Sequence, residues 1–371
     1  MGQSQSPFSR RISASNNNVE DGMTLIARAV LLMLATLLLS GCYLMQAATG
    51  QMAISAKAKP IAAVIDNPNT KPALRRRLRL IADAREFASR ELGLPDNKSY
   101  RNFVDLKRDY VVWNVYATGR FSVDARKWCF PIAGCVVYRG YFNEQRAQRY
   151  ARHVRRDGED AAIAGAAAYS TLGHFNDPVV STMLRWSDTQ IAAMLFHELA
   201  HQVYYVPNES AFNEAFASVV EEEGAKRWLA KRDSEPGNEK GNDAALQAWQ
   251  TARSRSLAFS ELLLTARERL RKLYASEPPS MALYDRKQQE FGRLKFDYEK
   301  LKASWNGYAG YDAWFNRALN NADLVSAATY ETCVPGFERL LTSLNGNLPK
   351  FYEAVKRQGP AERHRMCEAD Q

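Results

Sequence analysis

The feature that most restricts this chain is the pentapeptide His197-Glu198-Leu199-Ala200-His201. On an α-helix each residue advances about 100°, so with His197 at the origin His201 falls at about 40° and Glu198 at about 100°. All three side chains then share one sector. Two imidazoles one turn apart fit neighbouring corners of a zinc tetrahedron, and the glutamate between them stands beside the corner where water binds. The pattern is H-E-x-x-H, and with 5 histidines in 371 residues it arises by chance in roughly one chain in a few hundred. Whatever fold forms must bury a helix here and bring a further ligand to it.

The neighbouring residues supply both. Ser187 and Gln190 have the spacing of a capping box, which starts a helix just before the motif, and Pro207 ends it. Ile191, Met194, Leu195 and Leu199 give that helix an apolar face, as expected of a core element. A second helical pattern follows, with Phe212, Phe216, Val219 and Val220 at helical spacing. A turn at Pro207 folds it back antiparallel, so that Glu214 can face the histidines and complete a His2Glu catalytic zinc set. Glu209 is the alternative ligand, and Glu221-Glu222-Glu223 read as charges on a solvated face. The longer metzincin pattern is excluded, because Tyr204 and Pro207 occupy the places of its glycine and third histidine. Hydrolysis also requires a donor to the oxyanion; Tyr330 is the first candidate, with Tyr204, Tyr205, Tyr308 and Tyr311 as alternatives.

At the N-terminus the apolar run Thr24 to Leu39 is short for a membrane-spanning helix and matches the core of a signal peptide. It leads into Leu39-Ser40-Gly41-Cys42, which resembles the bacterial lipobox and implies cleavage before Cys42 and acylation of that cysteine. Met23 is then a plausible start, and an uncleaved anchor helix is the rival reading. Tyr43 stands where an inner-membrane retention Asp would be, so resemblance to such lipoproteins implies the periplasmic face of the outer membrane. In that oxidising space Cys129, Cys135, Cys333 and Cys367 form an even set with three possible pairings. Cys129 with Cys135 is favoured, since they flank the turn-like Phe-Pro-Ile-Ala-Gly. The net charge of +9 is moderate and no basic cluster with interleaved aromatics stands out; Arg75-Arg76-Arg77 reads as a solvated helix face, so nucleic acid is not expected as a partner.

Along the chain, Pro60 to Ile65 and Ala73 to Leu92 read as helices, separated by a break at Asn67 to Thr70. Tyr110 to Tyr116, Arg120 to Val123 and Cys135 to Phe142 are β-branched and aromatic and read as two or three antiparallel strands. Asn143 to Asp157 is a short helix. Asp160 to Thr171 is rich in small residues, a strand or loop packed closely against something else. Tyr169 to Val179, just ahead of the motif helix, is the candidate segment for substrate contacts, as an added-strand partner; His174 within it reads as a loop histidine. Ala244 to Ala275 and Met281 to Leu301 form two helices joined at Glu277 to Ser280, and Trp305 to Lys356 is again helical. Residues from Gln358 onward read as a tail.

These blocks together resemble the aminopeptidases of proteobacterial lipoproteins, zinc peptidases of the gluzincin type. The resemblance is carried by the lipobox at Cys42, Trp128 to Phe142, Tyr169 to Gly173, Asp177 to Met183, the H-E-x-x-H motif and Phe212 to Ala217. It implies His197 and His201 as zinc ligands, Glu198 as general base, Glu214 as third ligand and a peptide as substrate. Position 120 carries Arg where an acidic residue is expected from the family pattern. The fold expected is α+β: a mostly helical zincin-like metallopeptidase domain with a small antiparallel sheet and a long helical hairpin. Its parts would be a lipoprotein signal peptide and lipobox at 1–42, a catalytic domain at 43–230, an exposed loop at 231–243, the hairpin at 244–303 and a C-terminal helical region completing the domain at 304–371. The expected function is a Zn2+-dependent peptidase of the bacterial envelope, attached to the membrane through Cys42. The alternative is a non-catalytic envelope lipoprotein that uses the scaffold and hairpin to bind a partner, although the intact Glu198 argues against it.

Overall fold

A computed structural model describes residues 43 and 45–367, apart from 131–133, 169, 172, 234–241, 277 and 326–332. The chain divides into two units, Met1–Ala53 and Ile54–Gln371. In the first, the described residues are helical. Cys42 lies outside the described residues, as do the centre of the expected 231–243 loop and Tyr330.

In the second unit the helices follow the apolar spacing. After α1 (Ile61–Asp66), a turn leads to α2 (Pro72–Arg90), which opens on a proline whose missing N–H costs a first turn nothing. Its face of Leu78, Ile81, Ala84, Phe87 and Ala88 is buried. Arg75 and Arg77, read from sequence as a solvated face, turn back onto the chain instead. Arg75 donates to the Ile65 and Asn67 carbonyls. Arg77 holds the Asp188 carboxylate and the Leu184 and Trp186 carbonyls, clamping the start of the motif helix.

Eight short strands, among the described residues, form the sheets: β1 (Lys59–Pro60), β2 (Asn102–Val104), β3 (Val112–Thr118), β4 (Trp128–Phe130), β5 (Gly134–Val136), β6 (Arg139–Tyr141), β7 (Asp160–Ala166) and β8 (Val179–Val180). The main sheet has the order β6-β3-β7, antiparallel throughout. A second has the order β1-β2-β8, with β2 and β8 parallel, and β4-β5 is a two-stranded ribbon. The strand expected at Arg120 to Val123 is a turn. Its Arg120 carbonyl accepts from Lys287 Nζ and Asn321 Nδ2 and so is drawn off the sheet. The place beside β3 goes to β7, whose small residues explain the fit: a Cβ on Gly165 would stand 2.3 Å from the Tyr110 ring.

The remaining helices are α3 (Glu144–Arg156), α4 (Asp188–His201), α5 (Ser210–Asp233), α6 (Asn242–Ser276), α7 (Met281–Ser304), α8 (Asp312–Phe315), α9 (Asn321–Val325), α10 (Val334–Ser343), α11 (Leu348–Lys356) and α12 (Pro360–Met366). The fold is α+β and mostly helical, with small sheets and, among the described residues, no barrel. The motif helix α4 is its centre. Ile191, Leu195, Phe196 and Leu199 are fully buried, and Phe196 meets Phe87 of α2 at 5.9 Å between ring centroids. Across α5, Phe212 contacts Phe337 of α10 at 4.8 Å, and Phe216 stacks on Phe351 of α11 at 5.7 Å. At about 25 cal/mol per Å2, apolar burial of this kind is the main force holding α4 in place. Gly224, well inside α5, lets the two helices close up: a Cβ there would lie 2.7 Å from Phe196 and 2.8 Å from Leu92.

The long helices α6 and α7 bury a second cluster that includes Leu263, Leu270, Leu283, Leu294 and Tyr298. A buried ammonium beside it, Lys287, is held by the Asp160 carboxylate at the start of β7. The segment read as a C-terminal tail is structured. Residues 360–366 form α12, Cys367 is joined to Cys333, and Arg363 makes a bidentate pair with Glu209 at 2.7 Å on each arm. No periodicity in so short a helix announces it; the disulfide and the ion pair supply what local propensity lacks.

Candidate metal centre

The site is built by two antiparallel helices and the turn between them. At the start of α4, Ser187 Oγ accepts from the Gln190 backbone N–H while Gln190 Oε1 accepts from that of Ser187, the reciprocal cap expected from the sequence. At its end, Gln202 accepts from Asn97 Nδ2 at 2.7 Å. Asn97 itself lies in a loop gathered by the buried Arg85, which donates to the Ser99, Pro95 and Asn97 carbonyls. The following turn passes through Asn208 in the left-handed region (φ 67°), a conformation asparagine tolerates. Asn213, almost fully buried, then closes it: its Oδ1 accepts from Val206 N–H at 2.8 Å and its Nδ2 donates to the Val206 carbonyl at 2.7 Å. One residue later on α5 comes Glu214.

The structure brings His197, His201 and Glu214 together, with one donor atom of each within 4.8 Å of the others. His197 Nε2 lies 3.2 Å from His201 Nε2 and 3.3 Å from Glu214 Oε2, and His201 Nε2 lies 3.7 Å from that same oxygen. Zinc–ligand bonds of about 2.0–2.2 Å at tetrahedral angles place ligand atoms about 3.3–3.6 Å apart. The donor set and its spacing therefore fit a zinc ion. Two ring nitrogens facing each other this closely also need a cation, proton or metal, between their lone pairs.

The second ring nitrogen of His197 is held as well. Nδ1 lies 3.0 Å from Glu221 Oε2, the carboxylate–histidine arrangement that fixes a ligand's orientation. Burial opposes a charged His197, but the Glu214 and Glu221 carboxylates outweigh it and raise its pKa well above the usual value. Burial likewise pushes Glu214 upward, yet the two imidazoles bring it down to about 2. His201, only 6% exposed, has no hydrogen-bond partner for Nδ1 among the described residues.

The other residues singled out from the sequence fall as follows. Glu198 is half-buried at the rim of the site, and its charge acts on both His197 and the buried Asp177. Glu209 is committed to Arg363. Glu222 and Glu223, read with Glu221 as a solvated run, pair with Arg253 and Arg227. In the candidate substrate-contact segment ahead of α4, Thr171 donates from N and Oγ1 to the Asp177 carboxylate and so ties its two ends together, and Val179 enters β8. Among the alternative tyrosines, Tyr205 stands beside the site, its ring 6.3 Å from that of His201, and burial together with the Glu214 charge raises its pKa. Tyr311 instead stacks on Phe259 at 4.0 Å, and Tyr308 lies under Arg255. Cys129 and Cys135 are joined, directly opposite one another across β4 and β5.

Sequence reading missed Glu221 and Asn213. The first carried a signal: it stands seven residues after Glu214, two helical turns along the same face. Asn213 carried none beyond its place beside the ligand.

Comparison with known proteins adds one match. The profile of a family described as "Putative aminopeptidase" matches residues 42–367. Neither the curated proteins nor the solved structures yielded a match.

Proposed function

The chain belongs to this putative aminopeptidase family, and from that premise we propose that it is a zinc-dependent peptidase, with His197, His201 and Glu214 holding the ion. The single observation that carries the reading is the convergence of those three donors at zinc spacing, with the Glu198 carboxylate close enough for its charge to act on His197. When bound, zinc supplies Lewis acidity toward the scissile carbonyl and a water of near-neutral pKa.

The chain's own residues do the rest. Glu198, on the helix face next to both histidines, takes a proton from the attacking water and returns it to the departing amine. Tyr205, one turn beyond His201, is the described tyrosine we assign to meet the oxyanion, Tyr330 lying outside the described residues. Glu221 holds the His197 ring by Nδ1, leaving Nε2 on the side of Glu214 and His201 where it would serve as a ligand. The aminopeptidase character rests on the family alone.

The proposal extends to place. Two disulfides among the described residues suit an oxidising compartment, and the family match begins at Cys42 itself. We therefore read Cys42 as the lipid-attachment point and the periplasmic side of the envelope, at the outer membrane, as the location.

Metal analysis of the purified chain tests the reading, beside a His197→Ala, His201→Ala double variant and Glu198→Gln. One equivalent of zinc in the parent and in Glu198→Gln, none in the double variant, and peptide hydrolysis lowered about 10³-fold in Glu198→Gln are expected. A folded parent that takes up no zinc overturns it.

A further inference from the structure

Helix α3 (Glu144–Arg156) carries five arginines in 13 residues against one glutamate. At about 100° per residue, with Arg146 at the origin, Arg149, Arg152 and Arg156 fall near 300°, 240° and 280°. The buried residues Ala147, Ala151 and Val154 fall near 100°, 140° and 80°. These four arginines therefore form one stripe on the side away from the core, and all four are exposed.

Two features set the stripe apart from an ordinary solvated face. The first is the lack of countercharge. On α5 to α7 basic residues interlock with acidic ones: Arg227 with Glu223 at 2.7 Å, Lys226 with Glu222 at 2.9 Å, Arg269 with Glu290 at 2.8 Å. On α3 the Glu144 carboxylate accepts from Gln148, and His153 faces Asp157 at 3.6 Å. Among the described residues, none of Arg146, Arg149, Arg152 and Arg156 pairs with a carboxylate. The second feature is convergence. Arg149, Arg152, Arg155 and Arg156 border an open groove of about 590 Å3, where Arg155 is pinned by donating to the Ala161 carbonyl at 2.7 Å. The helix beneath is fixed as well: the Tyr150 hydroxyl accepts from Trp128 Nε1 at 3.0 Å, and its ring packs on Tyr141 of β6 at 5.7 Å between centroids. Like charges held this close repel, and an anion among them relieves the repulsion.

The apolar side of α3 is spent on the core, so the helix meets a partner by charge and does not insert into a membrane interior. Nucleic acid is disfavoured, because no Phe, Tyr or Trp lies in the stripe to stack on bases and the two disulfides suit an oxidising compartment. At 1.5 Å per residue the helix is about 20 Å long, a row of cations and not a single anion seat. An array of anionic phospholipid headgroups fits it, since about four to eight basic residues on one helix face draw a protein to such a surface. We propose that α3 docks the chain on a bilayer of anionic phospholipid, its arginines meeting the headgroup phosphates. The choice of a bilayer rests on the envelope placement proposed above; the charge pattern does not.

Binding of the full chain to phosphatidylcholine vesicles with and without phosphatidylglycerol tests this. The apolar run Thr24 to Leu39 can hold either vesicle, so the readout is the ratio of the two affinities. At about fivefold for each of the four guanidiniums, the parent's ratio should be about 10²–10³ at low salt, approaching one at high salt. Arg149→Gln with Arg152→Gln should lower it about 25-fold, and Arg149→Lys with Arg152→Lys should largely keep it. Arg357→Gln with Arg365→Gln removes the same charge from exposed arginines elsewhere and should change it less than about threefold. A parent ratio of one, or equal losses in the α3 and control pairs with circular dichroism unchanged, overturns the proposal. So does α3-dependent binding of oligoglutamate that is tighter than binding of anionic vesicles, which would make an acidic peptide the partner. No arm needs zinc or hydrolysis, so these outcomes are separate from those of the peptidase reading, and fractionation of cells checks the envelope placement by itself.

Discussion

The Glu221 carboxylate lies 3.0 Å from His197 Nδ1, on the far side of the imidazole from Glu214. One ring is thus gripped by two carboxylates of a single helix, two turns apart. Removing the outer grip should loosen the ring without removing a ligand. Glu221→Ala is expected to weaken zinc binding about 10- to 100-fold, and Glu221→Gln, whose amide oxygen still accepts from Nδ1, by less. Titration against a chromophoric chelator reads this directly, and an unchanged affinity in the alanine variant would remove Glu221 from the site.

Asp177 gives a pH signature. Burial, with the Glu198 charge adding to it, raises its pKa to about 6 against the opposing hydrogen bonds from Thr171. The unfolded value is about 3.9. Because the folded chain holds this proton more tightly, the group's contribution to stability is complete below pH ~4 and is lost as the pH rises through about 6. Asp177→Asn has no such loss. Its stability relative to the parent should therefore climb between pH 4 and 7, by at most about 3 kcal/mol. Urea unfolding of both proteins across that range measures it; a difference that does not vary with pH speaks against the assignment.

Gly224→Ala should behave contrary to helix propensity. Alanine is favoured over glycine inside a helix by about 1 kcal/mol. Here the added methyl meets Phe196 and Leu92 under 3 Å away, so α5 must move off α4. Net destabilisation of about 1–3 kcal/mol is expected by thermal unfolding, along with weaker zinc uptake, since Glu214 rides on the displaced helix. A raised melting temperature would show that the helices can separate freely.

The Cys333–Cys367 bridge closes a loop with a sequence separation of 34 residues. Loop-closure entropy for that length corresponds to about 3–4 kcal/mol. A Cys333→Ser, Cys367→Ser variant should lose roughly that much, and hydrogen exchange should show α12 released well before α4 and α5. Equal protection of all three helices would mean that the Arg363–Glu209 pair holds α12 unaided.

What could be read from the sequence was what depends on near neighbours. The cap at Ser187 and Gln190, the buried stripe of α4, the return of the chain after Pro207 and the approach of Glu214 all follow from spacing within about thirty residues. The two long helices after residue 241 were legible for the same reason, as was the disposition of small residues that became β7. The unread features join distant positions. Arg77 reads as part of a basic run until Asp188, Leu184 and Trp186 are brought to it. Glu209 is indistinguishable from Glu214 as a ligand until Arg363 claims it from 154 residues away. Arg120 sits in a β-like stretch, but its carbonyl is taken by Lys287 and Asn321. Glu221 is the exception, since its two-turn spacing from Glu214 was visible and a run of three glutamates obscured it.

The clasp formed by α12 also sets an order of events. A chain made from its N-terminus carries His197, His201 and Glu214 for about 150 residues of further synthesis before Arg363 exists to hold Glu209, at the head of the turn that delivers Glu214. Until then α4 and α5 have their own contacts but not the brace behind their junction. The finished geometry of the centre is therefore one of the last things this chain acquires, and His197, His201 and Glu214 are less firmly held together in an immature chain than in the mature one.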